Sequence, residues 1–227
     1  MEQRKVYGHI GKNSGQSDKD RLFLGGKDDP EDLGGFSLTA IIEAGNFENG
    51  ELSCSYVYER LNELSENIAQ KSASADFEDL KRELYDFLVS IDRELSYVSG
   101  VKKRPFSAYA GLCLVISNSA VSVIQGPLQF CVRSGGILRF LTPADQDGQA
   151  LGSGGCNPSV FDAVLSGPSC ALLCDSGSAQ IPAASISDAL SDPSDKALSR
   201  IALEASRSGA SGRRLLVCTS LSYGDRR

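Results

Sequence analysis

The 227-residue chain is 41% hydrophobic, carries a formal net charge of −6 and has a pI near 4.9. Folding at this length buries roughly 70–75% of the unfolded surface, enough for one substantial core without covalent staples. The acidic balance argues against nucleic acid, which needs a basic footprint, and against an anionic membrane surface. No apolar run reaches the roughly 18 residues of a membrane span.

The first twenty residues, MEQRKVYGHIGKNSGQSDKD, are polar and lack the apolar centre of a signal peptide. Lys5 to Ile10 and Arg21 to Leu24 read as short strands separated by a polar loop. FSLTAIIE, residues 36 to 43, is a stronger strand, rich in β-branched and aromatic residues. After the turn AGNFENGE, a helix carries Val57, Leu61, Leu64 and Ile68 on one face of a 3.6-residue period. A second helix repeats Phe77, Leu80, Leu84, Phe87, Ile91, Leu95 and Val98 on one stripe. Asp76 is its expected N-cap, and Gly100 is expected just past its end.

Between Ala110 and Thr142 the runs GLCLVIS, AVSVIQ, LQFCVR and ILRFLT are four strands with turn signals at Asn118, Gly126-Pro127 and Gly135-Gly136. Connections this short imply antiparallel neighbours, hence one meander. Residues 147 to 158, DGQALGSGGCNP, form a loop, and CALLC is another buried strand. Two helices follow, around Ser185 to Ser191 and from Ser194 to Arg207, the second closing at Gly209. Its inward face carries Leu198, Ile201, Ala202 and Ala205, and LLVCTSL is the last strand. The expected class is α+β: antiparallel sheets with helices on their outer faces, in one domain over 1–227 with a helical pair about 51–98.

Seven cysteines, none in a CxxC pair, lie mostly inside apolar runs. Buried free thiols behave as small hydrophobes, so a reducing cytoplasm is the expected home. The single histidine, His9, has no cysteine cluster beside it and reads as a strand residue rather than a zinc ligand.

In this order the chain resembles the metal-dependent type 2C (PPM) serine/threonine protein phosphatases. Five stretches carry the resemblance. GKNSGQSDKDRLFL is similar to the opening loop that ends in Asn-Glu-Asp. AIIEAGNFENGELSCSYVYERL resembles the strand, Asp-Gly-x-Gly-Gly turn and Gly-Glu helix start. IQGPLQFCVRSGGILRFLTPADQ looks like the Gly-Asp-Ser-Arg strand, Arg-x-Gly hairpin and Leu-Thr-x-Asp-His run. LSGPSCALLCDSGSAQIP looks like the strand ending in Ser-Asp-Gly, and GASGRRLLVCTSL like the closing Asp-Asn and strand. The resemblance implies a sandwich of two antiparallel β-sheets flanked by helices. It also implies phosphomonoester hydrolysis by two Mg²⁺ or Mn²⁺ ions, which need carboxylate oxygens and supply a hydroxide near neutral pH.

The carboxylates that this chemistry needs are altered. Asp20 falls where the opening segment has its aspartate, with Asp18 nearby. The turn aspartate falls on Ile42 when counted back from Gly50-Glu51, and Glu43 takes the place only if the loop is one residue shorter. At Ser-Asp-Gly the aspartate falls on Ser176, with Asp175 one place earlier, and alternation along a strand can turn that acid away from the site. The closing Asp-Asn falls on Arg213 and Arg214, and the Gly-Asp-Ser-Arg aspartate on Pro127. A guanidinium a few ångströms from a divalent ion costs several kcal/mol even at an effective dielectric of about 20.

The resemblance and these changes together imply a pseudophosphatase with no catalytic residue and no cofactor. It would act as a binding or regulatory module, with a protein kinase or phosphoprotein as partner class. Two alternatives stand beside it. One is an active Mg²⁺- or Mn²⁺-dependent phosphatase using the residual metal candidates Asp18, Asp20, Glu43 and Asp175. The other is a phosphate or phosphopeptide binder that grips its ligand with Arg213 and Arg214.

Overall fold

A computed structural model describes residues 2–10, 19–27, 35–72, 74–143, 148–175, 181–208 and 215–223. Strand β1 is Glu2–Ile10, β2 Arg21–Lys27 and β3 Phe36–Glu43; helices α1, Gly50–Lys71, and α2, Phe77–Lys102, follow. Then come β4 (Tyr109–Ile116), β5 (Ser119–Gln125), β6 (Leu128–Ser134), β7 (Ile137–Phe140), β8 (Ser159–Val164) and β9 (Ser169–Asp175). Helices α3 (Ala183–Ala189) and α4 (Asp195–Arg207) and strand β10 (Leu215–Tyr223) complete the order. The strands form two five-stranded antiparallel sheets, β1-β10-β9-β6-β7 and β2-β3-β4-β5-β8.

Burial on both faces of the central strands sorts the core into three layers. Leu38, Ala40 and Ile42 of β3 pack with Leu61, Leu84 and Leu88 of the helical pair. Ile41, Val115, Phe130, Leu173 and Val217 fill the space between the sheets. Cys170, Leu172 and Cys218 lie with Ile186, Leu198 and Ile201, under α3 and α4. One buried polar contact crosses the sandwich, where Ser37 Oγ donates to Thr219 Oγ1 at 3.1 Å. Among the described residues no helix is long and apolar enough to cross a membrane.

The expected four-stranded meander is not formed. β4 and β5 are a hairpin in one sheet, β6 and β7 a hairpin in the other, and the chain changes sheet at Gly126-Pro127. Gly126 makes the change possible with φ +120 and with the Tyr109 ring packed where a Cβ would stand. Short connections enforce antiparallel pairing only when the turn keeps both strands in one sheet, and this turn does not.

Helix α2 also runs past its expected end. Gly100 lies inside it, and the left-handed capping position is taken by Lys103 at φ 52. Ser99 organises this end: its Oγ donates to Leu95 O at 2.8 Å and accepts the Phe106 N–H at 2.9 Å. Asp76 is the N-cap residue as expected, without a side-chain capping bond, whereas Ser194 Oγ accepts the Ala197 N–H at 3.2 Å at the start of α4. Strand β8 was not anticipated from the sequence, and Gly209 lies outside the described residues.

The loop before β8 is fixed from below. Asp92, 2% exposed on α2, accepts the N–H of Gly152 at 2.8 Å and of Gly154 at 3.3 Å through Oδ1, and of Cys156 at 3.2 Å through Oδ2. A Cβ on Gly152, at φ +88, would strike the Phe106 carbonyl, so only glycine lets the loop come this close.

Candidate functional site

One end of the sandwich gathers the strand ends that hold the candidate acids. Glu43 closes β3 opposite Tyr109 at the start of β4, and Ala110 pairs with Gln125 at the end of β5. In the other sheet, Leu128 at the start of β6 pairs with Asp175 at the end of β9, beside the start of β10. Asp20 stands immediately before β2, whose Arg21 pairs with Ile42. Sheet register therefore carries Asp20, Glu43 and Asp175 to the same end, whereas Asp18, Ser176, Arg213 and Arg214 lie outside the described residues.

Strand alternation decides where each side chain faces. Ile42 is fully buried with Leu38 and Ala40 against the helices, so the counted position of the turn aspartate is a core residue. Glu43 follows Thr39 and Ile41 on the opposite face, which looks between the sheets. Along β9, Cys170, Leu172 and Cys174 lie under α3 and α4, while Ala171 and Leu173 face the other sheet. Asp175 continues the second set. The one-place shift from the Ser-Asp-Gly pattern thus leaves Asp175 on the inter-sheet face.

Asp20 and Asp175 are engaged by backbone. Asp20 Oδ1 accepts the Ala44 N–H at 2.9 Å and pins the turn that leads into α1. That turn is closed by Phe47 N–H to Ala44 O at 3.3 Å and Gly50 N–H to Phe47 O at 3.1 Å. Gly50 has no room for a side chain, because a Cβ would meet the Ala44 carbonyl. Asp175, 3% exposed, accepts the Leu215 N–H through Oδ2 at 2.7 Å and ties the end of β9 to the start of β10. Bonds of this kind, from N–H to an ionised carboxylate, are short and roughly twice as strong as neutral ones.

The acids leave their mark on neighbouring thiols. Burial first, then the negative charge of Asp20 and, more weakly, of Glu43 and Glu51, pushes the Cys54 thiol well up, with Arg21 opposing. Burial, Cys131 and then Asp175 and Glu43 push the Cys174 thiol up as well. Glu43 contributes in the same direction to both thiols. Burial likewise raises Cys113 to about 12, and burial with Asp92 raises Cys156 to about 12. Such thiols stay protonated and unreactive, as expected of cysteines used as small hydrophobes.

The end of the sandwich is floored by Phe47, edge-on to Tyr109 at 5.2 Å between centroids, with Gly126 against the same tyrosine. Beside it is a cavity of about 220 Å³ lined by Gln125, Gly126, Gly148, Gln149, Asn157 and Ser159, among others, with no ionisable side chain among the described residues of its wall. The amide of Gln125 donates to the carbonyl of Gln149, and Asn157 Oδ1 accepts the Tyr85 hydroxyl at 3.0 Å.

No family model matches the sequence, and no curated protein does. Solved structures do. The serine/threonine phosphatase of S. agalactiae superposes with a TM-score of 0.75 at 11% identity, over 96% of this chain and 99% of that one. The catalytic domain of the serine/threonine phosphatase PstP, solved with two manganese ions, gives 0.73 at 16% identity over 98% and 99%. PppA of Pseudomonas aeruginosa gives 0.71 at 16% identity over 96% of each chain. The chain has the PPM-type phosphatase fold. At these identities the likeness concerns the fold, and the chemistry has to be read from the residues.

Two hard divalent ions, as in the PstP structure, call for many oxygen ligands, chiefly carboxylates. The described residues offer Asp20, Glu43 and Asp175 at one end of the sandwich. No group of three His, Cys, Asp or Glu among them is arranged to hold a metal ion. Asp20 and Asp175 already accept backbone N–H groups, and Ile42 faces the helices. The described donor set does not fit a binuclear centre.

Proposed function

We propose that this chain is a pseudophosphatase: a non-catalytic binding or regulatory module on the PPM-type phosphatase fold, acting in the cytoplasm on a protein kinase or phosphoprotein. The observation that carries this reading is the use of the Asp20 and Asp175 carboxylates as acceptors for the Ala44 and Leu215 N–H groups. The acids that remain at the catalytic end then serve to fasten strand ends. The sequence supports the same reading, with Ile42, Pro127 and Arg213 standing where the resemblance calls for aspartates and Arg214 where it calls for asparagine.

A second reading, an active Mg²⁺- or Mn²⁺-dependent phosphatase, draws support from one feature. Glu43 and Asp175 both face the space between the sheets, and Asp20 is one hydrogen bond from Glu43's neighbour Ala44. Calorimetric titration with Mn²⁺ and Mg²⁺, alongside turnover of a generic phosphomonoester, separates the two. The expected result is no stoichiometric metal binding in the micromolar range and no metal-dependent turnover. Binding of two ions with turnover that Asp20→Ala abolishes would establish the active enzyme. Binding of inorganic phosphate that Arg213→Ala removes would establish instead a phosphate binder built on the two arginines.

A further inference from the structure

The last turns of α2 present a surface that the fold itself does not use. A spacing of four puts Arg93, Tyr97 and Val101 on one exposed stripe, with Tyr97 74% and Val101 60% exposed. The chain then runs through Lys102, Lys103 and Arg104, all exposed. Elsewhere on the helical pair, three cations are neutralised by neighbouring acids, Arg60 by Glu63 and Glu94, Lys71 by Glu83 and Lys81 by Glu78, while Arg82 forms no salt bridge among the described residues. Arg93, Lys102, Lys103 and Arg104 form no salt bridge among the described residues. Three consecutive cations thus follow a stripe that carries a fourth, on a chain whose net charge is −6.

Helix-end electrostatics explains only part of this. Cations in the last turn complement the negative end of the helix dipole, which covers Lys102 and Lys103 but not Arg93, more than two turns back. Nor does it explain Gly100. A glycine in a helix interior costs about 1 kcal/mol relative to alanine, and beyond the helix's own adjacent backbone no described residue lies within 4 Å of where its Cβ would be. A glycine on the exposed stripe, between Tyr97 and Val101, leaves room for a partner's backbone to come close.

We infer that this stripe docks an acidic segment of another protein carrying apolar side chains, with Tyr97 and Val101 as the apolar anchors and the four cations as the charged rim. Aromatic residues and arginine are the side chains that dominate interface energetics, and a cationic rim sets orientation and association rate. A second copy meeting this patch with its own would bring four cations against four cations. A lipid surface is opposed by the acidity of the rest of the chain. The patch stands near the acid-bearing end of the sandwich, since Asn49, just before α1, donates to Pro105 O at 2.9 Å. Docking here does not depend on whether that end binds metal.

The test is fluorescence anisotropy with a labelled amphipathic peptide bearing Glu and Leu at helical spacing, against a matched peptide with Lys in place of Glu. The acidic peptide is expected to bind, more weakly as salt rises. Two separate variants should each raise its Kd at least about tenfold, Tyr97→Ala combined with Val101→Ser, and Arg93→Glu combined with Arg104→Glu. Equal binding of the two peptides overturns the inference, as does an unchanged Kd in both variants. It is also overturned if the variants alter only self-association in sedimentation, or if the chain binds phosphatidylserine vesicles and ignores the peptide.

Discussion

Asp92→Ala is expected to destabilise the protein by about 3–5 kcal/mol, lowering the thermal midpoint by roughly 10 °C. The carboxylate is 2% exposed and takes N–H donors from Gly152, Gly154 and Cys156, which lie sixty to sixty-four residues further along the chain. Alanine removes all three bonds and leaves three backbone donors in a site too enclosed for ready solvation. Each such donor costs about 1–3 kcal/mol, less whatever the loop recovers by opening to water. Asp92→Asn keeps one acceptor oxygen at the same place and should fall between the two. Circular dichroism melts of the three proteins check the order.

Phe130→Ala is the second large effect, about 3–5 kcal/mol. Phe130 is the bulkiest fully buried side chain among the described residues and lies in the inter-sheet layer with Leu128, Val132, Leu173 and Val217. Truncation removes a ring's worth of contacts from a layer held by two rigid sheets, which cannot collapse into the space. The backbone of this strand is held separately, since the Phe130 N–H donates to Thr142 Oγ1 at 3.0 Å and Thr142 Oγ1 donates to Gln129 Oε1 at 2.8 Å. The loss should therefore appear as a lower urea midpoint with an unchanged slope. Phe130→Leu, which refills most of the volume, should cost less than about 1.5 kcal/mol.

Much of this architecture is legible in the sequence wherever one short-range rule governs. FSLTAIIE is strand β3 to the residue, and the apolar stripe from Phe77 to Leu95 is α2. The sequence reading fails where tertiary geometry overrides the local rule. The turn at Gly126 looks like a hairpin and is a change of sheet. Gly100 looks like a helix stop and is carried through, because Ser99 and the turn to Phe106 form the true end. Strand β8 is not legible in the sequence, although Val160, Phe161 and Val164 lie between Pro158 and Gly167, because Asp162 interrupts the apolar run on an edge strand.

The candidate site divides in the same way. Motif order brings Asp20, Glu43 and Asp175 into view, and sheet register carries all three to one end. What each carboxylate binds is not legible, because the partners of Asp20 and Asp175 lie 24 and 40 residues away in sequence and are backbone groups. Strand parity gives the least expected outcome. A shift of one place, read on the sequence as turning Asp175 away, leaves it facing between the sheets.

Thermal unfolding of the wild-type chain and Asp175→Ala, each with and without excess Mn²⁺, tests the central claim most directly. A carboxylate that serves only a metal is repelled by its acidic neighbours when the metal is absent, so removing it would stabilise the metal-free chain. One that holds the Leu215 N–H instead leaves a buried donor unpaired when it is removed, at a cost of about 1–3 kcal/mol. The account predicts the same drop in midpoint for Asp175→Ala in both conditions, and no rise of the wild-type midpoint with Mn²⁺. A wild-type midpoint that climbs with Mn²⁺ by the linkage expected of a bound ligand, and an Asp175→Ala midpoint that no longer responds, would contradict it.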